Sequence, residues 1–332
     1  MKRETRLALI NRMQEIRGSN VITYITGDRE NVSTRIAPDI IRVFFRHLEA
    51  MGQSERIDLF LYTRGGDVLT PWRLVNLIRE YTDHFSILVP FRAYSAGTLI
   101  ALGANEIVMG KMGELGPIDP SVANSFNPQD PNNPVAKIPV SVEDVSSYIT
   151  LAMEIGQLKG QEQLVSVFSH LVNKVHPLAL GNVQRNYALI RSIARKLLRL
   201  HMSAENEDLI KDIIDNLTEK LYAHNHKISR REARHDIKLQ AANPSTELEQ
   251  IMWRLYEEYE MEMNLLEPFE PAKQVDEQQK KIDFNVSGGI IESQWAMDSF
   301  TFTGTASLVD IAPDGSPNVN VNISSQRWKK IV

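Results

Sequence analysis

The feature that most constrains this sequence is an alternation in its first third. Short apolar runs, Val21–Ile25 (VITYI), Ile57–Tyr62 (IDLFLY), Ser86–Pro90 (SILVP) and Glu106–Met109 (EIVM), are separated by stretches of helical periodicity. Runs that are apolar almost throughout suit strands buried on both faces, and helix-length segments between them imply right-handed crossovers. The expected fold is α/β with a largely parallel sheet. Helices are expected over Arg6–Arg17, stopped by Gly18 and Ser19, over Ala37–Met51 between Pro38 and Gly52, over Leu69–Tyr81, and over Thr98–Ala104.

In such a sheet chemistry gathers at the carboxyl ends of the strands. Two turns fall there. Ile57–Tyr62 runs straight into Thr63-Arg64-Gly65-Gly66-Asp67-Val68, and Ser86–Pro90 leads to Tyr94-Ser95-Ala96-Gly97. A Gly pair exposes backbone N–H groups without side-chain cover, which suits an oxyanion hole. Ser95, where a strand becomes a helix, can hold its hydroxyl exposed beside free N–H groups, as a nucleophile requires. The plainer readings are an N-cap serine and a glycine pair that only makes a tight turn. A nucleotide-phosphate role is disfavoured, because neither G-x-x-x-x-G-K-[ST] nor a G-x-G-x-x-G following a strand is present.

The chain has 332 residues, a formal charge of −5 and no cysteine. This excludes disulfides, thiol catalysis and Cys-ligated zinc, and the absence of a basic excess argues against nucleic acid as a partner. The charged N-terminus lacks the apolar core of a signal peptide, and no window approaches the roughly 18 to 20 apolar residues of a membrane span. A cytoplasmic protein without an integral membrane segment is expected.

Taken together, TRGGDV, AYSAGTLIALGANEIVM and GELGPIDP resemble the Clp protease and crotonase superfamily. Within it they are most similar to the serine dehydrogenase proteinase family, itself related to signal peptide peptidase A. The similarity runs from about Arg6 to Gln240. It implies a crotonase-like ββα superhelix, Ser95 as nucleophile, and an oxyanion hole from the backbone of Gly65, Gly66 and Asp67 with help from Ala96. It further implies an ATP-independent serine endopeptidase acting on peptides or proteins without a cofactor or metal, in a homo-oligomer built as rings or trimer-based stacks.

The general base is not settled by the resemblance. In the Clp proteolytic subunit it is a His in the strand after the nucleophile's helix, whereas Gly116-Pro117-Ile118-Asp119-Pro120 has Asp119 at that place. An ordinary Asp is too weak a base to activate a hydroxyl alone. Leu221–Ala233 resembles the segment that carries the triad acid, with Asn225 near that position and His224 and His226 beside it. The two loci are therefore read as exchanged, with His224 or His226 the base and Asp119 orienting it. His224-Asn225-His226 also has the spacing of a metal pair on a strand, but no third ligand is evident. Lys137 and Lys111 are the alternatives in a Ser-Lys dyad, although a solvated surface cation is the commoner role of a lysine. His176, before Pro177, reads as structural. The missing histidine also motivates a second class of function, a catalytically impaired oligomeric scaffold or peptide-binding protein. A crotonase-type acyl-CoA enzyme is a third.

Residues 1–240 are expected to form the protease domain, 241–281 an acidic amphipathic helix and linker, and 282–332 a small β-rich appendage of two to four strands, too small to be stable unless docked. Ser121–Pro139, rich in Pro and Asn, reads as a structureless lid over the site. Helices are expected over Val142–Gln157, Gln161–Val172, Asn182–His201, Ala204–Tyr222 and Ser245–Phe269. The third of these carries a basic face, either solvated or a subunit contact.

Overall fold

The computed structural model describes residues 2–118, 121–122, 125–130, 133–138, 140–219, 226–276, 278–311 and 317–332. The chain divides into two compact units, Met1–Gly116 with Lys227–Val332, and Pro117–His226. The first opens with α1 (Lys2–Arg17), β1 (Asn20–Thr26), α2 (Ile40–Met51), β2 (Arg56–Tyr62), α3 (Thr70–Arg79), β3 (His84–Val89), β4 (Arg92–Ala93), α4 (Ala96–Leu102), β5 (Glu106–Met109) and β6 (Glu114–Leu115). The second holds β7 (Ser121–Val122), β8 (Gln129–Asp130), β9 (Asn133–Lys137), β10 (Val140–Ser141), α5 (Val142–Thr150), α6 (Gln161–Lys174), α7 (Pro177–Leu198) and α8 (Glu207–Thr218). The chain then completes the first unit with β11 (Ile228–Ser229), α9 (Arg230–His235), β12 (Ala241–Ala242), α10 (Thr246–Met263), β13 (Lys281–Ser293), β14 (Met297–Ile311) and β15 (Pro317–Lys330).

An eight-stranded sheet, ordered β12-β5-β3-β2-β1-β13-β14-β15, is the frame of the first unit. From β12 to β1 every neighbouring pair is parallel, and β1 and β2 bury all but their first residue, as their apolar runs require. The strands of the first third are thus parallel to one another as expected, while β13, β14 and β15 extend the same sheet antiparallel. The reason is connection length: the short links between β13, β14 and β15 cannot make a crossover. A second, three-stranded sheet, β11-β6-β4, receives the chain after β3 and again after β5. Each passage therefore reads strand, strand, helix or loop, and the turns between the sheets lie at the carboxyl ends of the parallel strands.

Helices α1 and α10 cover one face of the large sheet, where Ile10, Met13, Met252, Leu255 and Tyr259 pack on Val21, Ile25, Phe60 and Leu88. Tyr24, pointing the other way, meets Phe44 of α2 edge-on at 5.5 Å. A buried polar group ties these layers together: Arg6 Nε donates to Glu292 at 2.7 Å and Tyr259 Oη to the same carboxylate at 2.8 Å. Helix α10 stops at Met263, short of Phe269, because Asn264 adopts a left-handed conformation that caps it.

Within the second unit, α7 starts at Pro177 rather than Asn182. Proline occupies its first turn and His176 Nδ1 accepts the Leu178 N–H at 3.2 Å, so His176 is a structural cap. The basic face of α7 is largely paired, with Arg191 on Asp215 and Glu219, and Arg195 and Arg199 on Glu207. The expected structureless lid holds an antiparallel β8–β9 ribbon, and buried Asn127 donates to Ile138 O at 2.9 Å across its base. Helix α6 buries none of its side chains, leaving Val165 and Phe168 exposed.

Candidate active site

After Val89 the chain turns at Pro90 and, as β4, crosses the end of β2. Thr63 N–H donates to Arg92 O at 2.8 Å and Tyr94 N–H to Thr63 O at 3.1 Å. Ser95 follows at φ 51° and ψ −109°, a conformation that L-residues avoid, that costs about 1–3 kcal/mol and that persists only where the surroundings impose it. The surroundings do impose it. Gly97 N–H donates to Tyr94 O at 2.8 Å and Leu99 N–H to Ser95 O at 3.0 Å. Buried Thr98 Oγ1 lies 2.9 Å from the carbonyls of Ala93 and Gly116 and accepts the Gly116 N–H at 3.1 Å. Gly97 permits the close approach of α4 to β2, since a Cβ there would sit 2.5 Å from Thr63 Cγ2.

The Ser95 side chain makes no capping hydrogen bond, is partly exposed, and has no hydrogen-bond partner among the described residues. The ordinary reason for a serine before a helix is therefore absent. The Gly65–Gly66 segment abuts this turn: a Cβ on Gly65, whose φ is +100°, would lie 2.9 Å from Ser95 Cβ and 3.4 Å from Ala96 N. On its other side the segment is held by Ile36, whose N–H donates to Gly65 O at 2.9 Å and whose carbonyl accepts from Asp67 at 2.8 Å. A Cβ on Gly66 would fall 2.1 Å from Ile36 O, so only glycine permits this contact.

These bonds sort the four groups expected to hold an oxyanion. Asp67 N–H is committed to Ile36, and Gly65 N–H donates to Thr63 Oγ1 at 3.0 Å, so neither is open for that task. The Asp67 carboxylate instead caps α3, accepting from Leu69 N, Thr70 N and Thr70 Oγ1. The N–H groups of Gly66 and Ala96 have no acceptor among the described residues.

A polar cluster lies beside the turn. Asp28, just past β1, accepts Tyr62 Oη at 2.9 Å and Arg92 Nη1 at 3.0 Å. Burial and the Asp28 charge push the Tyr62 phenol well up. Tyr94 donates to the Glu114 carboxylate, and burial with that bond raises its phenol likewise, so neither tyrosine serves as a base near neutral pH. Thr98, Asp28 and Arg92 were not singled out from the sequence. A threonine within a small, apolar helix is a detectable signal, because a buried hydroxyl needs partners.

Of the residues expected to supply the base or orient it, Asp119 and His224 lie outside the described residues. Lys137 is a partly exposed residue of β9, not of a loop, and His226 is a partly exposed residue at the end of the second unit. Lys111 is an exposed cation paired with Glu249 at 3.4 Å. One Ser-His-Asp grouping does occur in the first unit: His47 contacts Ser293 Oγ at 2.8 Å and Asp298 Oδ2 at 3.2 Å. All three are 1 % exposed or less, so the group is a buried tether of α2 to the β13–β14 hairpin and has no access to substrate. Among the described residues, no group of His, Asp and Glu side chains is placed to hold a metal ion, and no helix is long and apolar enough to cross a membrane.

A strained serine is thus set against a glycine-paired strand end. Residues 1–174, more than half of the chain, match the model of the ClpP-like SDH-type serine proteinases, and the chain belongs to that family. Its α/β fold is thus of the Clp/crotonase type. Two proteins of Methanocaldococcus jannaschii are similar to it: the uncharacterized protein MJ0137, 31% identical over 123 residues, and the uncharacterized protein MJ1495, 30% identical over 125. These matches take in 35% of this chain in each case and 43% and 42% of the two relatives, so the chain spans about two fifths of the length of the curated relatives it matches.

Proposed function

We propose that the protein is a serine endopeptidase with Ser95 as its nucleophile, working without ATP. The observation that carries this reading is the Ser95 turn itself: a hydroxyl held in a strained conformation, uncapped, beside the open N–H groups of Gly66 and Ala96. Ser95 Oγ attacks the peptide carbonyl carbon, and the displaced carbonyl electron pair comes to rest on oxygen, accepted by these two N–H groups. A base takes the Oγ proton and passes it to the leaving amine nitrogen as the C–N bond breaks. Water then releases the acyl group by the same route. The proposed proton acceptor is His226 or His224, with Asp119 orienting it, and Lys137 is the alternative.

The substrates are peptides or proteins, and the working form is a cytoplasmic homo-oligomer. Exposed Leu151 and Ile155 just after α5 and exposed Val165 and Phe168 on α6 support an interface there, since exposed apolar side chains mark contact surfaces when they are contiguous. Residues 1–240 act as the protease domain, with 241–281 and 282–332 as its additions. The impaired scaffold remains the competing reading, favoured by Asp119 at the histidine position.

Hydrolysis of a quenched fluorescent peptide library by wild type, Ser95→Ala, His226→Ala, His224→Ala, Lys137→Ala and Asp119→Asn tests the proposal. Activity lost about 10⁴-fold or more in Ser95→Ala and in one base variant supports it. Hydrolysis unchanged in Ser95→Ala overturns it. Peptide binding without any Ser95-dependent turnover supports the scaffold.

A further inference from the structure

The Ser95 turn is bordered by three arginines, two of which lack a close acid partner among the described residues. Arg64 immediately precedes Gly65, and Arg92 lies on the strand that leads to Ser95. Arg35 precedes Ile36, the residue paired with Gly66. The bridge between Thr63 and Ala93 sets Tyr62 level with Arg92 and Arg64 level with Tyr94. Thr63 and Ala93 are buried, so Tyr62, Arg64, Arg92 and Tyr94 share the opposite face of this strand pair. The bridge between Ile36 and Gly66 likewise sets Arg35 level with Gly65, which has no side chain to separate the two segments.

The nearby acids are already engaged. Asp28 accepts Tyr62 and Arg92, and Arg64 Nε stands 4.0 Å from it as a third claimant, 60% exposed. Asp67 Oδ2 takes the three donors at the start of α3, and Glu114 takes Tyr94. Arg35 is exposed and has no ion pair or hydrogen bond among the described residues. Arg35 and Arg64 thus present guanidinium donors beside the reactive turn, Arg35 without an acid partner among the described residues and Arg64 with only a distant one.

We propose that Arg64 and Arg35 form the specificity element of this site, taking peptides that carry an Asp or Glu side chain next to the bond to be cut. A guanidinium presents paired donors that match a carboxylate, and Arg92, which takes Asp28 at 3.0 Å, leaves that acid less available to Arg64. The inference rests on the reading of Ser95 as the nucleophile.

The test separates the two. Binding of matched peptides differing only by Glu, Gln or Lys beside the central residue is measured by fluorescence anisotropy on the full-length Ser95→Ala protein. The Glu peptide is expected to bind about tenfold tighter than the Gln peptide and the Lys peptide more weakly still, a range suited to one or two partly exposed charge pairs. Arg64→Glu combined with Arg35→Glu reverses that order, and Arg64→Lys keeps its direction at reduced magnitude, because the charge remains without the paired donors. Raising salt from about 50 mM to about 500 mM shrinks it. Circular dichroism confirms that each variant is folded, and Arg64→Gln with Arg35→Gln replaces the reversal if it is not. Equal affinity for the Glu and Gln peptides, or a preference unaltered by both Arg pairs of substitutions, overturns the proposal. Failure of wild-type Ser95 to react with a fluorophosphonate overturns the hydrolase reading instead, while the order of peptide affinities still decides the role of the arginines.

Discussion

Replacing Gly65 by alanine tests the geometry of the site without adding or removing a polar atom. The residue adopts φ +100°, and the new Cβ would stand 2.9 Å from Ser95 Cβ and 3.0 Å from Tyr94 O. Backbone strain at such a φ costs about 1–2 kcal/mol, and the contact adds about 1–3 kcal/mol of overpacking. The Thr98 hydrogen bonds hold α4 in place, so relief comes from shifting the turn that carries Ser95. A displacement on the order of 1 Å at a reacting atom lowers its rate about 10²-fold. Gly52→Ala is the matched control, because Gly52 also has a positive φ, +73°, but nothing lies within 4 Å of the added methyl. Urea unfolding should place Gly65→Ala about 2–5 kcal/mol below wild type and Gly52→Ala about 1 kcal/mol below. The rate of fluorophosphonate labelling should fall about 10²-fold in the first and stay at the wild-type rate in the second. Wild-type labelling by Gly65→Ala, or equal losses in both, would refute the claim that Gly65 is reserved for Ser95.

Thr98→Val keeps side-chain shape but strands the buried Gly116 N–H, and should lower stability by about 1–3 kcal/mol in urea titration, with slower Ser95 labelling. His47→Ala leaves buried Asp298 and Ser293 without their partner and should cost about 2–4 kcal/mol, yet labelling per folded molecule should not change, because this Ser-His-Asp group is a tether. Burial alone would raise the Asp298 carboxyl, but the His47 hydrogen bond and the Arg46 charge outweigh it and hold the group below its ordinary value. Its stabilisation is therefore complete above about pH 4 and is lost as pH falls through the depressed folded value, a slope that Asp298→Asn should flatten in urea midpoints. Arg6→Ala leaves buried Glu292 with only the partly exposed Arg3, at 3.2 Å, as its ion-pair partner and should cost up to about 3–5 kcal/mol by the same assay.

What the sequence makes legible here is local. The buried strands announce themselves because IDLFLY and SILVP are apolar on both faces, and the turns after them because Gly65-Gly66 and Ser95-Ala96-Gly97 have few alternatives. The commitment of Asp67 N–H is set by Ile36, a residue about thirty positions earlier whose pairing no local pattern reveals. The antiparallel edge of the sheet has the same origin: alternation identifies β13 as a strand, but only its register on β1, with Tyr24 opposite Ile291, makes it part of the main sheet. The two-residue strands β4 and β6 are too short for any periodicity, although they set the position of Ser95. The arginines beside the turn are hidden for another reason. An exposed Arg is unremarkable in a sequence, and its significance depends on which carboxylates have already been claimed.

The central claim is that Ser95 is a reactive nucleophile, and the most direct measurement is fluorophosphonate labelling of the full-length protein followed by mass spectrometry of its peptides. One adduct is expected, on the peptide containing Ser95, absent from Ser95→Ala and formed more slowly in Gly65→Ala. An adduct on another serine, or no adduct in any oligomeric state that the purified protein adopts, would contradict that claim.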